Sequence, residues 1–455
     1  MKKMLTIFLV LLLVSAVSVF AGGGKEKAQP ESTETGTESA KAEPVELVMW
    51  WWGETELQGL TGWLEDTVAI FEKEHPNVTV STTLQDTVNV FSDFPTASAA
   101  GNPPDIQFSW NGIYAMEWVW LDHVAPLNGL IPADELKQMI ATPLSSFKGE
   151  QYRAGWYLFG HGWVFNKELF KKAGVPASMT PPQTWDEWLQ VCQLLKDAGI
   201  TPISMGAKDQ LIGDWLISLF MIQQLDSVRD PLRLVIGDLR WDEPRYYEHW
   251  VRLKELWDKG YINDDILSLD LYQGQDLFTK GEAAMTIAVG TIIPALQKAL
   301  GVEKVGVMKT PTFGVGKLAE KDVAYIQGVV ISSGSKHKEL AAEFIRVMHR
   351  DERYNALWDD LGAIPADARF DMTKIDDPAL RETGKWVQNS TIYVGDTIPW
   401  AILGEAAYTG CQELFSGQLT PKELGEKAQR LAEEWREMSP DMLANYQDWL
   451  GGLSD

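Results

Sequence analysis

The chain has 455 residues, 45% of them hydrophobic and 23% charged, a balance that supports one large or two medium globular domains. Its formal net charge of -24 argues against nucleic acid and anionic membrane surfaces as partners, because phosphate binding needs clustered Lys and Arg. Acidic excess also keeps proteins soluble, so it names no partner by itself.

The first element is a leader. Lys2 and Lys3 precede the apolar run Leu5 to Val19, and Val19 and Ala21 put small residues where a signal cleavage site wants them, so 1–21 reads as a signal peptide. No later run reaches the ~20 apolar residues a spanning helix needs. An exported, soluble mature protein is expected. Residues 22–44 hold no aromatic and no large aliphatic residue and read as a disordered linker. Cys192 and Cys411 are the only cysteines, so no lipid-anchor cysteine follows the leader. Trp188, Cys192 and Leu195 share one helical face, which favours a buried free thiol, although pairing of the two cysteines stays open.

From Val45 an α/β rhythm begins. "VELVMW" reads as a buried strand, Leu64, Val68 and Phe71 recur at helical spacing, and "NVTVST" alternates as a strand. "PDIQFSW" places Ile106, Phe108 and Trp110 on one strand face. "GWVFN" is a further strand, after which Asn166 caps "KELFKKA" and Gly174 ends it. Thr184 and Glu187 form a capping box before "WLQVCQLLKDAG", and Thr420, Pro421 and Glu423 repeat that logic near the C-terminus. "FTKGEAAMTIAVG" turns into a buried strand, and "KELAAEFIRVMHR" puts Ala341, Phe344, Ile345 and Met348 on one helical face. Strands separated by helices imply an α/β fold with mostly parallel sheets, whose ligands sit beyond the carboxyl ends of the strands.

The order of "ELVMWWWGE", "FEKEHPNVTV", "AAGNPPDIQFSW", "FNKELFKKAGV", "PPQTWDEWLQVCQLLKDAGITPI", "FTKGEAAMTI", "KELAAEFI", "GAIP" and "FSGQLTPKEL" resembles the solute-binding proteins of carbohydrate ABC importers, the maltose-binding-protein-like family. The resemblance implies a two-lobed periplasmic-binding-protein fold, each lobe a mostly parallel sheet flanked by helices, with the ligand cleft between lobes. It implies an N-terminal lobe of 45–157 with 325–367 and a C-terminal lobe of 158–324 with 368–455. It further implies a monomer that closes on a sugar and delivers it to the permease subunits of an ABC importer, with no catalysis, no cofactor and no metal. Without an anchoring cysteine the expected location is the periplasm.

A sugar ring has an apolar face and a rim of hydroxyls, so its site needs flat aromatic walls and a few fixed polar groups. The chain's 20 tryptophans furnish walls easily, although most belong in cores. Trp50 is expected to continue its strand toward the core. Of Trp51 and Trp52 one should face the cleft, Trp52 being favoured by the family pattern, with Glu54 as a hydroxyl acceptor. Trp110 and Asn111 end the "PDIQFSW" strand, and His161 lies just past the first expected crossover. By the same resemblance Lys208 and Asp209 in "GAKDQLIGDW" reach the ligand. Thr291 stands near the place where relatives often carry Trp, and Asp396, Trp400 and Glu405 belong to a cleft-lining helix and its approach.

Other readings stay open. The same fold binding a polyamine would use aromatic boxes and carboxylates such as Glu54, Asp209, Asp396 and Glu405. A glycoside hydrolase needs two carboxylates at a defined separation, which a sequence alone does not exclude. Presentation to a sensor kinase would read lobe closure just as import does. Metal chemistry has no support in the six scattered His, nor nucleotide chemistry in "GVGK", which Leu318 follows.

Overall fold

Leu47, Met49 and Trp51 alternate onto the buried face of the first strand, β1 (Val45–Trp51), in a computed structural model that describes residues 43–453. The expected leader and almost all of the expected linker lie outside those residues. Period two makes Trp51 the core tryptophan rather than Trp50, which is half-buried on the other face. Gly59 starts helix α1 (Leu60–Glu74), which leads into β2 (Val78–Leu84). Helix α2 (Thr87–Ala99), β3 (Ile106–Ser109) and α3 (Ile113–Trp120) complete the first α/β run.

Strand β4 (Ala154–Asn166) is buried along all thirteen residues. Asn166 then caps the next helix, its side-chain oxygen accepting from the amides of Glu168 at 3.0 Å and Leu169 at 3.2 Å. The capping box of Thr184 and Glu187 starts α4 (Trp185–Asp197). There follow β5 (Thr201–Ser204), α5 (Ile212–Met221), α6 (Leu271–Thr279), β6 (Ala283–Val289), β7 (Val305–Met308) and β8 (Val323–Ser332). Near the C-terminus, Trp400–Leu403 runs through a π-helical stretch, Gly404–Thr409, into Gly410–Ser416.

The strands join in the order β2-β1-β3-β8-β4-β6-β5, with β7 also on β4. The outer pairs β1–β2, β1–β3 and β5–β6 are parallel, as the α/β rhythm implies. The inner pairs β3–β8, β8–β4 and β4–β6 are antiparallel, so the sheet is mixed rather than mostly parallel. The reason is the path of the chain. β4 leads out of the first run of strands, and β8 comes back beside it in the opposite direction. The first half of β4 pairs with β8 and its last residues pair with β6 and β7. His161 sits at the seam, opposite both Val323 and Val289. A short third segment, Ile364–Pro365, pairs with Leu158 and Tyr157 of the same strand.

Arg153 fastens this junction. It is fully buried; Nε and Nη2 donate to the Ser109 carbonyl at 3.1 and 3.0 Å, and Nη2 also donates to that of Ile326. Just ahead of β4 this one guanidinium thus ties β3 to β8, with Nη1 left without a partner. Cys192 and Cys411 are both buried and free. Among the described residues no helix is long and apolar enough to cross a membrane.

Candidate functional site

A cavity of about 80 Å³ lies where the two groups of elements meet over β4 and β8. The N-terminal elements contribute Trp52, Glu56, Thr87, Phe91, Trp110 and Tyr114. The crossing strands supply Phe159, His161, Tyr325 and Gln327. Asp214, Trp215, Tyr272, Tyr393 and Tyr408 face them from the other side. Among the described residues no Lys or Arg lines it.

The turn after β1 explains how Trp52 and Glu56 reach the cavity. Gly53 has a φ of 131°, and the amides of Glu56 and Leu57 both return to its carbonyl. A Cβ at Gly53 would stand 2.7 Å from the Tyr157 hydroxyl, so only glycine lets the turn lie this close to β4. Trp52 then packs at 5.4 Å from the Trp110 ring and donates Nε1–H to Thr87 Oγ1 at 3.0 Å. Phe91 stacks on Trp110 at 4.6 Å and 14°. Trp400, 44% exposed, stacks on Phe91 at 5.3 Å.

The polar members divide sharply. Glu56 accepts from the Tyr157 hydroxyl at 3.0 Å and from Gln327 Nε2 at 3.1 Å, yet burial outweighs both bonds and pushes its carboxyl up to about 7. Asp214 is held well above the usual carboxylate range, by burial first and then by nearby Asp396. Its Oδ1 has no hydrogen-bond partner, and neither does Gln327 Oε1. His161 stacks on Tyr393 at 5.7 Å and meets Trp215 edge-on at 4.7 Å, but neither ring nitrogen is bonded. Burial pushes the His161 ring down to about 3, so it is neutral, with one donor and one acceptor nitrogen.

Of the residues singled out in the sequence, Trp52, Trp110 and His161 line this cavity. The others stand elsewhere. Trp51 is in the core against Trp156. Glu54 holds the N-terminus of α1, accepting from the Gly59 amide at 2.8 Å and the Thr61 amide at 2.7 Å. Asn111 donates to Asp396 Oδ2 at 2.9 Å and accepts from Thr142 and Ser145, while Asp396 Oδ1 has no partner. Burial pushes the Asp396 carboxyl up to about 7 against the pull of Asn111 and Arg153. Lys208 is exposed, and Asp209 accepts from the Leu271 amide at the start of α6. Thr291 is buried just beyond β6. Trp400 lies outside the cavity wall, and Glu405 is paired with Lys427 at 3.2 Å. Among the described residues no group of three His, Cys, Asp or Glu could hold a metal ion.

Glu56, Phe91, Tyr114, Asp214, Trp215, Tyr325, Gln327, Tyr393 and Tyr408 line the cavity without having been singled out from sequence. Some lie in or beside segments that were. Asp214 and Trp215 end "GAKDQLIGDW", Tyr393 stands three residues before Asp396, and Glu56 two after Glu54. The signal located the segment, and turn geometry chose the member.

A family model for bacterial extracellular solute-binding proteins matches residues 51–352. An uncharacterised ABC-transporter extracellular binding protein of Pyrococcus horikoshii is 23% identical over 98% of this chain and 99% of its own length. The multiple sugar-binding protein of Streptococcus mutans is 23% identical over 63% of this chain and 67% of its own. Among solved structures, a chitin oligosaccharide binding protein superposes with a TM-score of 0.78 at 24% identity, over 86% of this chain and 98% of that one. That likeness establishes the two-lobed binding-protein fold.

Proposed function

Because the chain belongs to the bacterial extracellular solute-binding protein family, we propose that it captures a sugar between its lobes and delivers it, unaltered, to the permease of an ABC importer. One observation carries this reading. His161 and Gln327, each with buried polar atoms that have no partner, line the same cavity as the rings of Trp52, Trp110, Trp215 and Tyr393. Buried polar atoms without partners are costly, and a ligand rimmed with hydroxyls and flat on its faces would satisfy them. The relative in Streptococcus mutans, by name a sugar binder, supports the same class.

The mechanism follows from the placement of the walls. A ligand touching Trp52 and Trp110 on one side and Asp214 and Trp215 on the other binds the closed state more tightly than the open one, and so shifts the population toward closure. The lobes would be 45–157 with 325–367 and 158–324 with 368–455, turning about the three segments that meet on β4. The volume bears on ligand size. At ~10–15 Å³ of such space per water, the cavity of about 80 Å³ replaces roughly five to eight waters, the room one sugar ring takes. With the apolar leader, export to a periplasm fits the same reading.

A thermal-shift screen of the mature protein against mono-, di- and oligosaccharides, polyamines and amino acids tests it. Ligand at ~100 times its dissociation constant should add about 2.7 kcal/mol of stability. Trp52→Ala should weaken the responding sugar, because its ring lines the cavity. A response confined to non-sugar solutes would discard the carbohydrate, and shortening of a bound oligosaccharide would make the protein a hydrolase.

A further inference from the structure

A file of aromatic rings leads out of the cavity. Trp52 packs at 5.4 Å from Trp110, Phe91 stacks on Trp110 at 4.6 Å and 14°, and Trp400 stacks on Phe91 at 5.3 Å and 24°. Trp52, Trp110 and Phe91 line the cavity, and Trp400 does not. Trp400 also meets Tyr408 edge-on at 4.9 Å, so it touches a lining residue on α2 and another in the π-helical stretch. Its placement is set locally. A Cβ at Gly404 would stand 3.2 Å from the Trp400 ring, so the glycine lets the indole lie against its own helix.

We propose that Trp400 is a positioning residue: it stacks over Phe91 as the lobes close, holds that ring against Trp110, and slows escape of the sugar without touching it. This rests on the closure reading above and names a contact that keeps the site shut. Phe91 belongs to the segment 45–157 and Trp400 to 368–455, and these segments meet in two different ways. Asn111 and Asp396 meet in the interior: their hydrogen bond is buried, and a Cβ at Gly112 would stand 2.1 Å from the Asp396 carbonyl oxygen. Parting them would leave buried polar groups unpaired, which makes this a fixed joint. Trp400 and Phe91 meet at the surface, where the indole is 44% exposed and Phe91 is half-buried, and they meet through ring faces. Such a pair shifts an equilibrium by roughly two- to tenfold, so it can part and re-form as the site opens and closes. A ligand that binds the closed state gains from whatever favours closure, even a contact it does not make itself.

The test is calorimetry and stopped-flow kinetics of the mature protein with glucose, galactose, mannose and N-acetylglucosamine and with their di- and trisaccharides. Trp400→Ala should weaken every sugar that the native protein binds by one common factor, roughly two- to tenfold, carried by faster dissociation. Trp400→Phe keeps a ring over Phe91 and should restore most of the affinity. On a Phe91→Ala background, Trp400→Ala should cost nothing further, because the ring it acts through is gone. Trp400→Leu, which keeps apolar bulk without a ring face, makes the same comparison should the alanine variant not fold. Native affinity in Trp400→Ala, or an undiminished loss on the Phe91→Ala background, overturns this inference and leaves the sugar reading standing. A loss confined to di- and trisaccharides would make Trp400 a wall for their outer rings and overturns it as well. Binding of none of these sugars by the native protein overturns the sugar reading, and this inference with it.

Discussion

Two buried histidines, His161 within β4 and His349 against it, live in opposite surroundings. His349 uses both ring nitrogens: Nδ1 is 2.9 Å from Asp367 Oδ2 and Nε2 is 2.7 Å from the Gly155 carbonyl. Asp367 in turn accepts from Arg369 at 2.8 Å on Oδ1 and 2.7 Å on Oδ2, and Arg369 Nη2 closes the ring on the His349 carbonyl. His161, seven residues along the strand from Ala154, uses neither nitrogen and borders a cavity. Burial alone therefore does not separate architecture from function here. A polar cluster that satisfies itself ties the crossing segments together. One that does not satisfy itself, and faces a space, is built for something that enters.

The contrast breaks most visibly at Asp367. Its side chain is fully buried, and Asp367→Ala would leave His349 and Arg369 without their shared acceptor. Loss of one partner from a buried ionic cluster costs about 3–5 kcal/mol, so urea unfolding should show a large drop in stability. Burial raises the Asp367 carboxyl, but the bonds from Arg369 and His349 outweigh it and hold the group well below the usual range. A depressed folded-state value means the stabilisation is complete above the unfolded value of ~3.9 and disappears as pH falls through the folded one. The variant should therefore lose less stability in acid than the native chain does. A variant as stable as the native chain would remove the architectural half of the comparison.

Glu56 should behave in the reverse sense. Its carboxyl titrates at about 7 in the folded protein against an ordinary 4.5, because burial disfavours the charge. Between those values the folded state binds the proton more tightly than the unfolded chain, so stability falls as pH rises from 4.5 to about 7 and then levels. The effect is on the order of 3 kcal/mol. Glu56→Gln should flatten that slope in the ligand-free protein, read as denaturant midpoints at pH 5 and pH 8. An equal slope in the variant would mean that Glu56 is ionised throughout and that the cavity tolerates its charge unaided.

How far the sequence reaches is clearest at the same positions. The leader pattern, the caps at Asn166, Thr184 and Thr420, and the ordered segments lead directly to the family and the two-lobed fold, because capping and periodicity are local. The antiparallel centre of the sheet was not legible, since it follows from β8 returning beside β4 across more than 150 residues. The candidate cavity was legible by residue at Trp52, Trp110 and His161 and elsewhere at best by segment. Glu54 and Glu56 differ by half a turn around Gly53, and that sends one to the N-terminus of α1 and the other to the cavity. Asn111 and Asp396 stand in the right segments, yet each finds a partner in the other. Such pairings join residues 285 apart, a separation no local pattern encodes.

The smallest expected effect is the sharpest test of the contrast. His161→Phe keeps a flat ring between Tyr393 and Trp215 and removes the two nitrogens that have no partner. Removing unsatisfied buried nitrogens should leave the ligand-free protein as stable as before, or slightly more so, because nothing in the protein bonds to them. Ligand affinity should fall by about 1 kcal/mol for each hydrogen bond the imidazole makes to the sugar, a several-fold rise in dissociation constant by calorimetry. A stability loss comparable to that of Asp367→Ala, with affinity intact, would place His161 beside His349 as a structural residue. Weakened binding on an unweakened fold is the signature of a group whose partner is the ligand, since only the ligand-bound state then loses a bond.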